Sequence, residues 1–338
     1  MTRRSVLAAA AGAVGLVACT RTEPAPGPSS ATSSALATGT PSPTNAVSPS
    51  PSPPAVSAPT SPARAALPRT TAWEPDAADV QPDVKRMAAR VVEALGAWPV
   101  GAFGSSAAKS RLSQLGVDPA LGDEAGSLFA RGDAAALQVV FAQYGGILAD
   151  SASVLVVARQ WVSQSSAVSD GGTTVDVRLQ RGATGWSVVH LYPGDAGPAL
   201  PELSAVARRV LGNARIDLPP QALADVHAGT VHDSVLGALD SVSARFAIGV
   251  SVLRTGHPLD VFGTNRRSDH PLGRAVDTWT INGHPVVSAA TPRSLVVDYM
   301  TAMGDAGSYN VGGPVAVRRT GYFTDDTHHD HVHAGFTT

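Results

Sequence analysis

Residues 268–277 read SDHPLGRAVD and residues 328–333 read HHDHVH; the two stretches hold five of the ten histidines in a chain of 338 residues. Alternate side chains of a strand face the same side, so His331 and His333 point together while Val332 points the other way. In the first stretch His270 lies on a loop entering a strand that carries Asp277. Gly273 lets the backbone turn there, and the small Ala275 lets the strand lie close to its neighbours. Two imidazoles and a carboxylate suit zinc, and three protein ligands leave a position open for water, as catalytic sites do. The expectation is one Zn2+ held by His270, Asp277 and His333, with Asp330 and His331 beside it for proton chemistry. Structural zinc is usually closed by four ligands rich in Cys, and the only cysteine of the chain is Cys19.

The flanking sequence predicts how these stretches are carried. Residues 248–253 form a compact apolar strand that delivers Arg254 and His257 to a loop, and 275–281 form another strand. Asp233 can cap a helix with apolar positions Val235, Leu239, Val242 and Phe246. Thr291-Pro292 opens a helix through Leu295, Tyr299 and Met303. Residues 315–317 and 331–336 complete a set of strands around few helices. This predicts an α+β domain over residues 215–338, a comfortable size for one core.

Ahead of the turn residues at 212–220, a second α+β domain is expected over residues 71–214. Val84, Met87, Ala88, Val91, Val92 and Leu95 recur at helical spacing, and a shorter helix runs through Leu112 and Leu115 to Gly116. Leu137, Val140, Phe141 and Tyr144 suggest a third helix, stopped by Gly145-Gly146. The period then falls to two over residues 153–162, 173–179 and 186–192, with a turn between Gly182 and Gly185. No convergent polar cluster is visible in this domain, and His190 and Asp195 lack partners at metal-ligand spacing. It is expected to serve structure, or to offer a surface for a protein partner.

The first 70 residues point to export. Arg3 and Arg4 precede an apolar run over residues 6–18, too short to span a bilayer but suited to a signal segment. The junction LVAC at residues 16–19 resembles the bacterial lipobox, which would make residues 1–19 a lipoprotein signal peptide and Cys19 the lipidated residue. TRRSVLA resembles a twin-arginine signal, and an ordinary secretory signal fits as well. Residues 20–70 are rich in Pro, Ser and Thr and cannot bury enough apolar surface to offset their ordering entropy, so a disordered linker is expected. In polyproline geometry, at ~3.1 Å per residue, fifty residues reach at most ~150 Å. The expected location is the outer face of the cytoplasmic membrane. A formal charge of −2 supplies no basic footprint for nucleic acid.

SDHPLGRAVD resembles the SxHxxGxAxD motif of the D-Ala-D-Ala carboxypeptidase-like zinc metallopeptidases. DHVHAGF resembles their C-terminal zinc-binding segment, shared with lysostaphin-type peptidases and hedgehog. The resemblance covers about residues 215–338 and implies a hedgehog-like zinc fold with an antiparallel sheet and few helices. It makes His270, Asp277 and His333 the zinc ligands. Asp330 stands where carboxypeptidase members carry a catalytic Glu, and His331 occupies the first position of the HxH pair. Arg254, in SVLRTGH where the family has SGYRS, corresponds to a substrate-binding arginine. Ser268, Asp269 and His328 are expected to orient the ligands. The implied activity is hydrolysis of peptidoglycan stem or cross-link peptides. A zinc-containing protein that binds the cell wall without turnover, or an adaptor acting through residues 71–214, stays open as the alternative.

Overall fold

The computed structural model describes residues 66–338, so the signal segment, Cys19 and most of the expected linker lie outside the described residues. The described residues all fall in one compact unit containing two sheets and two main cores. Helix α1 (Pro82–Gly96) and helix α2 (Ser105–Gln114) precede a four-stranded antiparallel meander of β1 (Ala134–Ile147), β2 (Ser151–Gln164), β3 (Ala167–Gly182) and β4 (Gly185–Pro193). Val84, Ala88, Val91, Val92 and Leu95 form one stripe of α1 and bury against Leu137, Val154, Val156, Val175 and Val177 of the sheet. Period 3.6 on the helix thus meets period 2 on the strands.

The rest of the chain builds a seven-stranded sheet. Its elements are α3 (Ala205–Leu211), β5 (Ile216–Asp217), α4 (Pro220–His227), α5 (Asp233–Ser243), β6 (Ile248–Val252), β7 (Ala275–Ile281), β8 (His284–Pro285), α6 (Arg293–Asp305), β9 (Asn310–Gly312), β10 (Tyr322–Phe323) and β11 (Val332–Gly335). The strand order is β10-β9-β11-β7-β6-β5, with β8 paired to β7. All pairings are antiparallel except β5 with β6 and β9 with β10. Val276, Val332 and Ala334 face the helices, in a core with Leu239, Tyr299 and Met303; Ala207 and Val210 of α3 join that core. The chain is therefore α+β, as expected.

The other face of the seven-stranded sheet meets the other face of the meander. Val157 and Leu155 of β2 pack on Val252 of β6. Phe141 of β1 stacks on Trp279 of β7 with centroids 4.9 Å apart, a contact worth about 0.5–1.5 kcal/mol beyond its burial. Asp277, His331 and His333 alternate with the core-facing Val276 and Val332, so all three point into this contact between the sheets.

Three local expectations are corrected. The segment with Leu137, Val140, Phe141 and Tyr144 is strand β1, not a helix. A bulge between Val139 and Phe141 shifts the alternation, so Leu137 and Val139 face the first core before it, and Ala142 and Tyr144 after it. Apolar residues on both faces then mimic helical spacing. Gly145-Gly146 does not stop a helix: a Cβ on Gly146 would stand 2.1 Å from Phe262 Cβ, so Gly146 admits a close approach of the two halves. Asp233 is the first residue of α5 rather than its cap; its carboxylate accepts from Ser204 Oγ at 2.7 Å. Residues 315–317 form no strand; β9 pairs with β11 instead, and β10 lies at the edge.

Candidate metal centre

Three side chains meet between β7, β11 and the loop before β7. His333 and Asp277 are directly opposed across the antiparallel β11–β7 pair, which sets their side chains side by side. His270 comes from a single 3-10 turn, His270–Leu272, closed by Gly273 at φ 71°. A Cβ on Gly273 would lie 2.1 Å from Thr230 O, so both the conformation and the space require glycine.

Asp277 Oδ1 lies 3.1 Å from His270 Nε2 and 3.0 Å from His333 Nδ1, and the two ring nitrogens are 3.2 Å apart. Tetrahedral zinc with bonds near 2.0–2.1 Å separates its ligand atoms by about 3.3 Å, so the triangle fits one ion. The outer atoms of His270 and Asp277 are occupied. His270 Nδ1 donates to Leu253 O at 2.7 Å, which leaves Nε2 as the lone-pair nitrogen. Asp277 Oδ2 accepts from Gln143 Nε2 at 2.7 Å. His257 adds a fourth donor at the margin: ligand atoms of His257, His270 and Asp277 lie within 4.8 Å of one another and could hold a metal ion. Its ring stacks on that of His270 with centroids 4.2 Å apart, and its Nδ1 faces Pro258 O at 3.0 Å.

Electrostatics favour the ligand states. Burial pushes the His333 imidazole down to about 4, against the pull of Asp277, so it is neutral. Burial likewise holds His257 well below the usual histidine range, aided by His270. Burial alone would raise Asp277, but His270 and His331 outweigh it and keep the carboxyl well below its usual range.

His331 stands beside the triangle with Nε2 at 3.6 Å from Asp277 Oδ1. Its Nδ1 meets Asp330 Oδ1 at 2.5 Å. Burial opposes charge on His331, yet the Asp277 and Asp330 carboxylates raise its pKa. Asp330 itself sits behind His331 rather than in the groove. Its Oδ2 pairs with Lys85 Nζ at 2.5 Å and accepts from Tyr144 N at 3.2 Å. Lys85, fully buried, also pairs with Asp79. One ammonium between two buried carboxylates cannot compensate both, and their pKa values separate: burial leaves Asp79 above the ordinary range, while Lys85 and His331 overcome burial at Asp330 and lower it.

These groups floor a groove of about 440 Å³. His270, Asp277, His331 and His333 line it together with the end of β1, Leu148 just after it, and Arg266. Arg254 does not line it. Asp225 Oδ2 accepts from Arg254 N and Thr255 N at 3.0 and 2.8 Å, which turns the loop, and the guanidinium Nε donates to Pro271 O at 3.2 Å. Arg266, which does line the groove, makes no ion pair among the described residues.

The neighbours expected to orient the ligands divide. Ser268 Oγ accepts from His270 N at 3.4 Å, so it braces the ligand's backbone. Asp269 accepts from Arg274 at 2.9 Å and from Tyr309 Oη at 2.5 Å, pinning the loop without touching the ring. His328 hydrogen-bonds Asp325 at 2.7 Å and lays its ring 5.3 Å from that of His331. His329 donates to Ala78 O at 2.7 Å, so it ties the two halves together. Lys85, Gln143 and the Tyr144 amide escaped the sequence because their partners are distant: Gln143 and Asp277 are 134 positions apart. A buried lysine on the apolar face of α1 was the available signal.

Comparison with protein-family models, with curated proteins and with solved structures returned no match to this chain.

Proposed function

We propose that the chain is a zinc-dependent peptidase that hydrolyses peptidoglycan stem or cross-link peptides outside the cell. Residues 215–338 would form a zinc domain like that of the D-Ala-D-Ala carboxypeptidases and hedgehog. The observation that carries this is the triangle of His270, Asp277 and His333 ligand atoms 3.0–3.2 Å apart, on the floor of a groove with His331 beside it. A purely structural zinc needs neither the groove nor an imidazole oriented by a carboxylate next to the ligands.

When bound, zinc supplies Lewis acidity, acidifying water and polarising a scissile carbonyl. His270 Nε2, Asp277 Oδ1 and His333 Nδ1 would hold it. His331 Nε2 takes a proton from the attacking water and returns it to the leaving amine. The Asp330 carboxylate accepts a hydrogen bond from His331 Nδ1–H, which fixes the tautomer and aims Nε2 at the groove. The general-base role thus passes to His331, and Asp330 acts by positioning it. Arg266 is placed to hold a substrate carboxylate through two parallel hydrogen bonds.

A lipid on Cys19 and the Pro-rich stretch up to residue 70 would place this centre at the outer face of the cytoplasmic membrane, within reach of the wall. Among the described residues no helix is long and apolar enough to cross a membrane. The test is incubation of the purified protein with defined muropeptides, with and without chelator, reading products by mass. Cleavage that stops with chelator and returns with zinc is the expected result. Zinc-loaded protein that binds the peptides and leaves them intact would instead mark a non-catalytic wall-binding protein.

A further inference from the structure

The residues that complete the metal centre do not all belong to the half that carries the ligands. Gln143 is fully buried on β1 of the meander. Its Nε2 donates to Asp277 Oδ2 at 2.7 Å, while its Oε1 is buried with no hydrogen-bond partner. Leaving a buried acceptor unpaired costs about 1–3 kcal/mol, and an apolar side chain at this position would avoid that. The one bond Gln143 does make goes to a ligand. The next residue, Tyr144, spends its backbone N–H on Asp330. Two consecutive residues of one strand therefore fix the ligand carboxylate and the carboxylate behind His331.

We infer that Gln143 is a positioning residue of the metal centre, and that the meander is a built-in part of that centre rather than an independent domain. This rests on the proposal that His270, Asp277 and His333 hold zinc. Without a donor on Oδ2, the Asp277 carboxylate is free to rotate and to share its charge between both oxygens. With Gln143 in place, Oδ1 alone is presented toward the two ring nitrogens. Partners of this kind typically change metal affinity 10–100-fold.

The experiment is a zinc titration of metal-free full-length protein in competition with a chromophoric chelator, comparing wild type, Gln143→Met and Gln160→Met. Gln160 is the control: it is buried in the neighbouring strand and donates only to Gly96 O and Leu128 O, away from the centre. The expected result is an affinity about 10–100-fold weaker for Gln143→Met, with circular dichroism unchanged and Gln160→Met close to wild type. If the Met variant does not fold, Gln143→Asn keeps an amide but draws it back by one methylene, and the same loss is expected. Affinity within twofold of wild type in a folded Gln143 variant overturns the inference, and so does an equal loss in Gln160→Met. Absence of zinc binding by wild type overturns the metal centre itself, so the two failures are distinguishable.

Discussion

Asp330→Asn removes one charge at nearly constant volume from the buried run Asp79–Lys85–Asp330–His331. The carboxylate is 1 % exposed and takes bonds from Lys85, His331 Nδ1 and Tyr144 N. Removing one partner of a buried ion pair costs about 3–5 kcal/mol. Lys85 keeps Asp79, so the lower end applies, ~3 kcal/mol. At about 2–4 °C per kcal/mol for a folded region of this size, Tm falls on the order of 6–12 °C. The pH dependence has a definite sign. Because the folded-state pKa of Asp330 is lowered, its stabilisation is present above the unfolded value near ~3.9 and is lost as pH falls through the folded value. Thermal unfolding of metal-free protein, followed by circular dichroism at stepped pH, should show the full gap between wild type and variant at pH 7, closing under about pH 4. A variant as stable as wild type at pH 7, or a gap constant down to pH 2, refutes the assignment of Asp330 as an ionised partner of Lys85.

Other perturbations separate roles within the groove. His331→Ala should keep its zinc by elemental analysis yet lose ~10²–10⁴ in kcat on muropeptides, with KM little changed. Arg266→Ala should raise KM for substrates with a free carboxylate at least tenfold, whereas Arg254→Ala should leave KM within about twofold, since its guanidinium turns to Pro271 O. Gly146→Ala drives a Cβ into Phe262 and should destabilise by about 1–3 kcal/mol in urea unfolding.

The centre was legible where its geometry is local. His331 and His333 are two apart on a strand, and His270 and Asp277 are joined by a turn that Gly273 permits, so the motifs carry their own spacing. The interface was not legible. Nothing in the run around Leu137–Tyr144 announces a bulge, and the apolar side chains that β1 needs for two different cores read as helical period. The direction of Arg254 was not legible because it depends on Asp225, which accepts from the backbone of the loop. The role of Lys85 was not legible either, since one of its partners is an aspartate near the other end of the chain.

The face shared by the two sheets bears on how the protein can be divided. A fragment starting at residue 215 would retain every expected zinc ligand, yet it would present Val252 and Trp279 to water and leave Asp277 Oδ2 without its amide donor. Such a piece would carry a sticky apolar face next to a loosened carboxylate, inviting aggregation and adventitious metal uptake. Trimming to the histidine motifs would therefore produce a different molecule. The natural cut lies ahead of α1, where the chain keeps Lys85 and Gln143 together with the side chains they hold.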